Sequence, residues 1–434
     1  MGDTFGYLGL ILFHYYGWIL FVWAFLYMFY HVWMENQQNK YMATIKWVFL
    51  EIRIDTLNEK SAAVMEHVFA SLHGMSQSFS LGERWTGKKS LHFSAEIVSI
   101  GGRVSYIFKM PERYRNLLES ALFAQYPKAE VREVQDYLAN LPRTFTPGKS
   151  EFDFWGTQLI KRADNYLPIR TYRQSDEFFS HKDQDTTIEP LAGVLEAMSN
   201  ILPHELLVLQ LVMKPESEDW KKKAMNNVLK LKGLPVKAPA PGFVDKYVLG
   251  LPSLAVGTIA EALGAAAPAA KKEEKAAQST VPSMTDAEKH NIDSIVLGLG
   301  KLSFTGKIRL MYLAPKDKLS KPMRIPEFLG AFRSFDSPQL NGFKPDARVT
   351  TDGNFKLWQK LEQPWLDYKT HMRKEKFLRA IKDRSHWAGS VNTILNTEEF
   401  ATVYHFPQAP NARISQIEKV ETVKSAPPID LPIG

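Results

Sequence analysis

Cysteine is missing from all 434 residues. Its absence excludes disulfides, thiolate zinc sites and cysteine nucleophiles together. The eleven histidines form no H-E-x-x-H pattern and no close pair backed by carboxylates at a metal spacing. No G-x-S-x-G nucleophile elbow occurs. Residues 82–88 (GERWTGK) begin a P-loop and then break it. Lys89 stands where Ser or Thr would hold magnesium, and a strand rather than a helix is expected next, so no helix N-terminus would face a phosphate. Gly298 and Gly300 miss the dinucleotide spacing and read as a helix C-cap or packing glycines. Together these absences point to a chain without catalysis, cofactor or metal, with a membrane-tethered enzyme left as an open alternative.

Charge is missing from residues 8–33 (LGLILFHYYGWILFVWAFLYMFYHVW). An α-helix needs about 20 apolar residues to cross a bilayer core, so this run reads as a transmembrane helix. A cleavable signal fits worse: residues 1–7 hold no basic residue, the run is too long, and no small-x-small site follows. The segment is therefore expected to stay in the mature protein. Lys40, Lys46 and Arg53 follow the span while no Lys or Arg precedes it, which predicts a single-pass protein of the cell membrane with its bulk in the cytoplasm.

About 400 residues follow the span, of ordinary globular composition, with 45% hydrophobic and 23% charged residues over the chain. A net charge of +7 suits an anionic membrane surface or nucleic acid. After a polar tether at 37–43, residues 46–54 read as a strand, 61–73 as a helix, and 91–100 with 103–110 as a hairpin around Gly101-Gly102. A helix from Pro111 to residue 124 and a strand at 129–135 complete the order strand, helix, strand, strand, helix, strand. That is the split βαβ order of a ferredoxin-like sandwich. Two strands around Asn165, a helix at 188–202 and an apolar strand at 205–213 follow.

Residues 221–284 are basic and then Ala/Pro/Lys-rich, the composition of a flexible linker, with an apolar patch at 248–263 able to dock. A second unit starts at Thr285, whose T-D-A-E has the capping-box form. Helices at 285–302, 325–335, 368–384 and 396–404 and a strand at 307–314 are expected there. The fold class is thus α+β: an N-terminal transmembrane helix, then two ferredoxin-like-type α/β sandwich units separated by a flexible linker. The expected divisions are residues 1–36, 44–220, 221–284, 285–407 and an extended Pro-rich tail at 408–434. The basic run at 368–384 offers Arg373, Lys374, Lys376, Arg379, Lys382 and Arg384 as contacts to phosphate or lipid, a solvated helix face being the alternative.

Specific strings then carry a resemblance. WVFLEIRI, MEHVFASLHG, FSAEIVSIGG, FAQYPKAE, EPLAGVLEAMS, LNGFKPD and LNTEEFATVYHFP resemble a family of single-span membrane proteins from candidate-phylum bacteria. In longer members this region precedes an ATPase of the HerA and FtsK superfamily, of the kind found in type IV secretion and conjugative DNA transfer. Here the Walker motifs are missing and the sequence stops at Gly434. The resemblance therefore implies a membrane-proximal, non-catalytic component that docks such an ATPase, with an envelope or pilus-associated scaffold as the alternative. It makes Asn341, Gly342, Phe343, Asn396, Glu398, Glu399, Tyr404 and His405 the candidate partner interface. A homo-oligomer and a direct nucleic-acid contact stay open as further partners.

Overall fold

A computed structural model describes residues 2–55, 58–142, 144–145, 150–174, 189–231, 285–352 and 363–408. The uncharged run lies inside α1 (Gly2–Ala43), a single helix of 42 residues. At 1.5 Å per residue it is about 63 Å long, twice a bilayer's hydrocarbon thickness. The expected tether is instead the last turns of α1, since residues 34–43 hold no Gly or Pro to stop the helix. Phe21, Trp23, Phe25, Leu26, Met28 and Phe29 stand exposed around α1. It is long and apolar enough to cross a membrane.

Thr44, Ile45 and Lys46 join α1 to β1 (Trp47–Arg53). Next come α2 (Ala63–Leu72), α3 (Leu81–Trp85), and the hairpin of β2 (Phe93–Ile100) and β3 (Arg103–Pro111). Gly101 and Gly102 turn that hairpin at φ +59° and +89°, values that a two-residue primed turn requires and a side chain resists. The chain continues through α4 (Arg115–Gln125), β4 (Glu130–Glu133), β5 (Phe152–Lys161), α5 (Ala192–Ser199) and β6 (Leu206–Pro215). Then follow α6 (Asp219–Leu231), α7 (Asp286–Leu299), β7 (Ser303–Pro315), α8 (Lys321–Ala331), β8 (Phe343–Pro345), α9 (Gln363–Lys382), β9 (Thr393–Asn396) and α10 (Thr397–Val403).

All nine described strands join one antiparallel sheet in the order β4-β1-β3-β2-β6-β7-β5-β8, with β9 beside the first residues of β7. β6 and β7, placed by sequence in different units, pair from Leu206↔Leu313 to Pro215↔Phe304. The reason is burial: both strands are buried on both faces, and such strands are covered on each face and flanked on each side. The two expected units thus share one sheet, joined where β6 pairs with β7. The second strand expected after Asn165 does not form. Ile169 and Tyr172 instead donate their amides to Glu399 Oε1 and Thr402 Oγ1 beside α10, and Arg170 donates to the Phe335 carbonyl.

Residues 218–299 make a separate compact unit. In it α6 packs on α7, burying Ala224, Val228, Ile292, Ile295 and Leu299. α6 is helical where linker was expected. Residues 232–284, with the Ala/Pro/Lys tract and the apolar patch, lie outside the described residues. Thr285 and Glu288 make the expected reciprocal cap.

Strand alternation divides the core. Val48, Leu50, Phe93, Phe108, Leu209, Leu211, Phe304 and Leu310 belong to one cluster with residues of α2, α4, α5, α8 and α10. Val98, Ile107, Phe154, Val208 and Met311 meet Phe377, Leu378 and Ile381 of α9 on the other face. α9 is seated by Gly156, where a Cβ would lie 2.2 Å from Phe377 Cε1. Gly156→Ala is expected to cost about 1–3 kcal/mol by overpacking, read as a lowered Tm. Gly330→Ala, in α8 with nothing within 4 Å of its Cβ position, is the control expected to hold or raise Tm.

Candidate functional site

On the α9 face one cross-strand row is polar. The pairing places Glu96 beside Gln210, Gln210 beside Arg309, and Arg309 beside Gln158. All four are buried, and buried polar groups must find partners. Gln210 Nε2 donates to Glu96 Oε1 at 3.1 Å, and Arg309 Nη1 donates to Gln210 Oε1 at 3.2 Å. Glu96 also accepts from Ser94 at 2.7 Å, Tyr137 at 2.7 Å and Arg384 at 3.1 Å.

This row holds down the segment after α9. Gln210 Nε2 also donates to the Ile381 carbonyl, and Arg309 Nη2 donates to the carbonyls of Ser385 and Ala388. Gln158 donates to Val391 O and accepts from Ser390 N. Arg384 caps α9 at φ +51°, the one positive-φ non-glycine among the described residues. Ser385 N bonds back to Ala380 O as in a Schellman-type end. Glycine normally takes such a position. Here bonds from the Arg384 guanidinium to Glu96 and Asp136 offset the left-handed conformation. Burial alone would lower the Arg384 pKa, but Glu96 and its other partners raise it on balance.

The anchored segment walls a cavity of about 440 Å³. α9 contributes Arg373, Lys376, Phe377 and Ala380, at helical spacing on one face. Arg309 forms its floor, Arg348 and Val349 another wall, and Asp383 contributes an acid. Burial brings the Arg309 pKa down to about 10, Glu96 acting in the opposite sense. Neighbouring Lys307 is brought down to about 8 by burial and by the Arg309 charge. Burial would raise the Asp346 pKa, but its bonds from Arg348 and Ser390 hold it at about 2. Arg348 is thereby pinned to Asp346 at 2.9 Å, and Arg379 pairs with Glu375 at 2.9 Å. Lys376 stands exposed. Five cations around one concavity make an anion-binding shape. No group of three or more His, Asp or Glu residues able to hold a metal occurs among the described residues.

The sequence-selected cations divide. Arg373, Lys376 and Arg379 line the cavity. Lys374 is turned inward to Asp153 at 2.5 Å, under the rings of Phe145 and Phe154. Lys382 reaches the Leu141 carbonyl, and Arg384 is wholly buried. Arg309, Arg348 and Glu96 were missed. Glu96 shares its strand with Ser94 and Ser99, and Arg309 with Thr305 and Lys307, so neither stands out in the sequence, and Arg348 had no signal.

The eight residues selected as a partner interface are mostly interior. Asn341 donates to the carbonyls of Asp164 and Leu167 and accepts from the amides of Ala163 and Gly342. A Cβ on Gly342 would meet Asp336 Oδ1 at 2.1 Å, and Phe343 is buried against Phe332 and Phe335. Asn396 and Glu399 form a capping box for α10, and Glu399 pairs with buried Lys161 at 2.7 Å. Tyr404 is packed on Tyr106 and Phe108. Glu398 alone is partly exposed, bonded to Lys301.

His405 Nδ1 faces Ala401 O at 2.8 Å, and Nε2 meets Glu189 Oε1. Burial would lower the His405 pKa, but Glu189 raises it above its ordinary value of 6.5. Glu189 is pushed up by burial and pulled further down by His405, to below its ordinary 4.5. A raised histidine stabilises below its unfolded pKa and loses that contribution as pH rises through the folded value. A lowered glutamate stabilises above its unfolded pKa and loses it on acidification. Stability from this pair is therefore greatest between about pH 4.5 and 6.5. Urea titrations from pH 6 to 9 are expected to show a decline that His405→Gln reduces. Glu96→Ala, which leaves Arg384 paired to Asp136 alone and removes the acceptor of Gln210 and Tyr137, is expected to cost about 1–3 kcal/mol in the same titration.

No curated protein matches the chain. The family described as Domain of unknown function (DUF8128) matches residues 33–419, beginning at the last residue of the uncharged run and running through sheet, row and cavity. This chain belongs to the DUF8128 family.

Proposed function

We propose that the protein is a membrane-anchored, non-catalytic platform of a type IV secretion or conjugation-like translocation machine, holding a HerA/FtsK-type ATPase at the cell membrane. The observation that carries the anchoring is the course of α1, helical from the apolar run to three residues before β1. A load-carrying anchor needs such a link without a hinge. The ATPase and the transfer machine rest on the sequence resemblance. Lys40, Lys46 and Arg53 put the body on the cytoplasmic side.

On this reading the sheet is two ferredoxin-like halves in tandem. β1-α2-β2-β3-α4-β4 and β5-α5-β6-β7-α8-β8 each run strand, helix, strand, strand, helix, strand. In each half the spatial order is fourth, first, third, second, and the halves abut through β2 and β6. The insertion at 216–302 falls between β6 and β7 of the second half. α9 covers the face that this arrangement leaves open and presents the basic cavity there. Because the string at 395–407 is built into the interior, its residues support the docking of β9 and α10 on their own body. The ATPase contact is assigned to exposed surface, and residues 409–434 lie outside the described residues. The cavity serves as a phosphate contact for the nucleic acid being moved.

Affinity purification of the detergent-solubilised protein from its own cells, read by mass spectrometry, is expected to recover a HerA/FtsK-type ATPase. Recovery of envelope or pilus components alone, with crosslinking, would replace the motor reading by the scaffold. For the cavity, Lys376→Ala is expected to weaken single-stranded oligonucleotide binding and to lower the slope of log affinity against log salt by about 1, with Tm unchanged.

A further inference from the structure

A second element lies against the end of α1. Ser80 and Glu83 cap α3 reciprocally, at 3.1 and 3.3 Å. The Trp85 ring centroid is 5.6 Å from that of Tyr30 and 5.5 Å from that of Trp33. Just beyond, Gly87 at φ +83° passes so close to α1 that a Cβ would lie 2.4 Å from the Gln37 carbonyl carbon. Lys89 Nζ reaches Gln38 Oε1 at 3.5 Å. α3 and its following turn are thus wedged along residues 30–38 of α1.

The position of this wedge matters because Trp33 ends the uncharged run. With α1 as a span, Tyr30 and Trp33 belong to the headgroup layer where Trp and Tyr concentrate. Trp85, in contact with both, lies at the same depth. Leu81 is four residues earlier, on the same face of α3. Leu81 is 75% exposed and Trp85 54% exposed. Around them stand Arg84, Lys88 and Lys89, with the acids Glu83, paired to Lys88, and Glu35 of α1 beside Lys89. An apolar tip rimmed by cations, at the depth of a bilayer surface, is complementary to anionic lipid.

We propose that α3 is a second membrane contact, with Leu81 and Trp85 seated in the headgroup and upper acyl region beside α1 and exposed Arg84 facing lipid phosphates. This rests on α1 spanning the bilayer. One helix fixes the depth of the body but leaves it free to rotate about that helix; a second contact removes the rotation and sets the direction in which the α9 cavity faces.

The absence of native cysteine makes single labelling clean. Leu81→Cys, Phe21→Cys on exposed α1 and Leu202→Cys are each labelled with an environment-sensitive fluorophore in the full chain. Leu202 lies at the far ends of β2 and β6, about 25 Å along the strands. The labelled proteins are reconstituted in vesicles of phosphatidylcholine and phosphatidylglycerol. Nitroxide lipid is expected to quench the Phe21 and Leu81 labels, and aqueous iodide to quench Leu81 at least threefold less than Leu202. If Phe21 is quenched by lipid while Leu81 behaves as Leu202, the α3 contact is overturned and the span stands. If iodide reaches the Phe21 label, both fall. A Leu81 label shielded from both quenchers would mean a protein covers α3, which also overturns the lipid contact.

Discussion

A carboxylate closed off from water at the centre of the sheet is the constraint on which the remainder depends. Glu96 is flanked across the β2–β6 junction by Gln210 and capped from α9's end by Arg384. Buried ion pairs add little net stability over an apolar core of equal shape, but leaving one member alone is costly. Their effect is on choice of arrangement. A one-residue slip between β2 and β6 would turn Glu96 to the opposite face from Gln210 and leave its charge among Leu209, Leu211 and Phe93. The row thus sets the register at which the two halves of the sheet meet. Through Arg309 and Gln158 it also fixes the segment that walls the basic cavity.

A second constraint is the short link between α1 and β1, which is only Thr44, Ile45 and Lys46. A helix that ends three residues before a sheet strand transmits tilt and rotation to that sheet. Gly87 carries this further by letting the turn after α3 approach the α1 backbone to van der Waals distance. The arrangement is that of a rigid bracket.

The strings that stand out in the sequence turn out to be interior. In LNTEEFATVYHFP, Phe400 stacks on Phe69 at 3.8 Å, Tyr404 and Phe406 meet Tyr106, and the capping box starts the helix. In LNGFKPD, Asn341 satisfies four backbone groups and Asp346 ties down Arg348. Each position is tightly constrained, and a partner surface would leave the same mark as a chain's own core. Only burial separates the two, and burial depends on which strands neighbour which.

Local rules were sufficient for the helical state of the uncharged run, for the Gly101-Gly102 hairpin, for the first strand–helix order and for the cap at Thr285. These depend on residues within a turn or two of each other, or on a run of one character. Gln210 stands alone in the apolar run 206–213 of β6, whereas Glu96 and Arg309 share their strands with other polar residues, and the purpose of none of them is legible locally. Tertiary structure alone decided that β6 and β7 pair across an insertion of about 90 residues and that α9 lies on the sheet with Lys374 and Arg384 turned inward. It also decided that Arg373, Lys376 and Arg379 gather with Arg309 and Arg348. The physical reason is that side-chain periodicity reports which face of an element is apolar, whereas the partner of that face is chosen by non-local pairing of backbone groups and by where a buried charge can find its counter-charge.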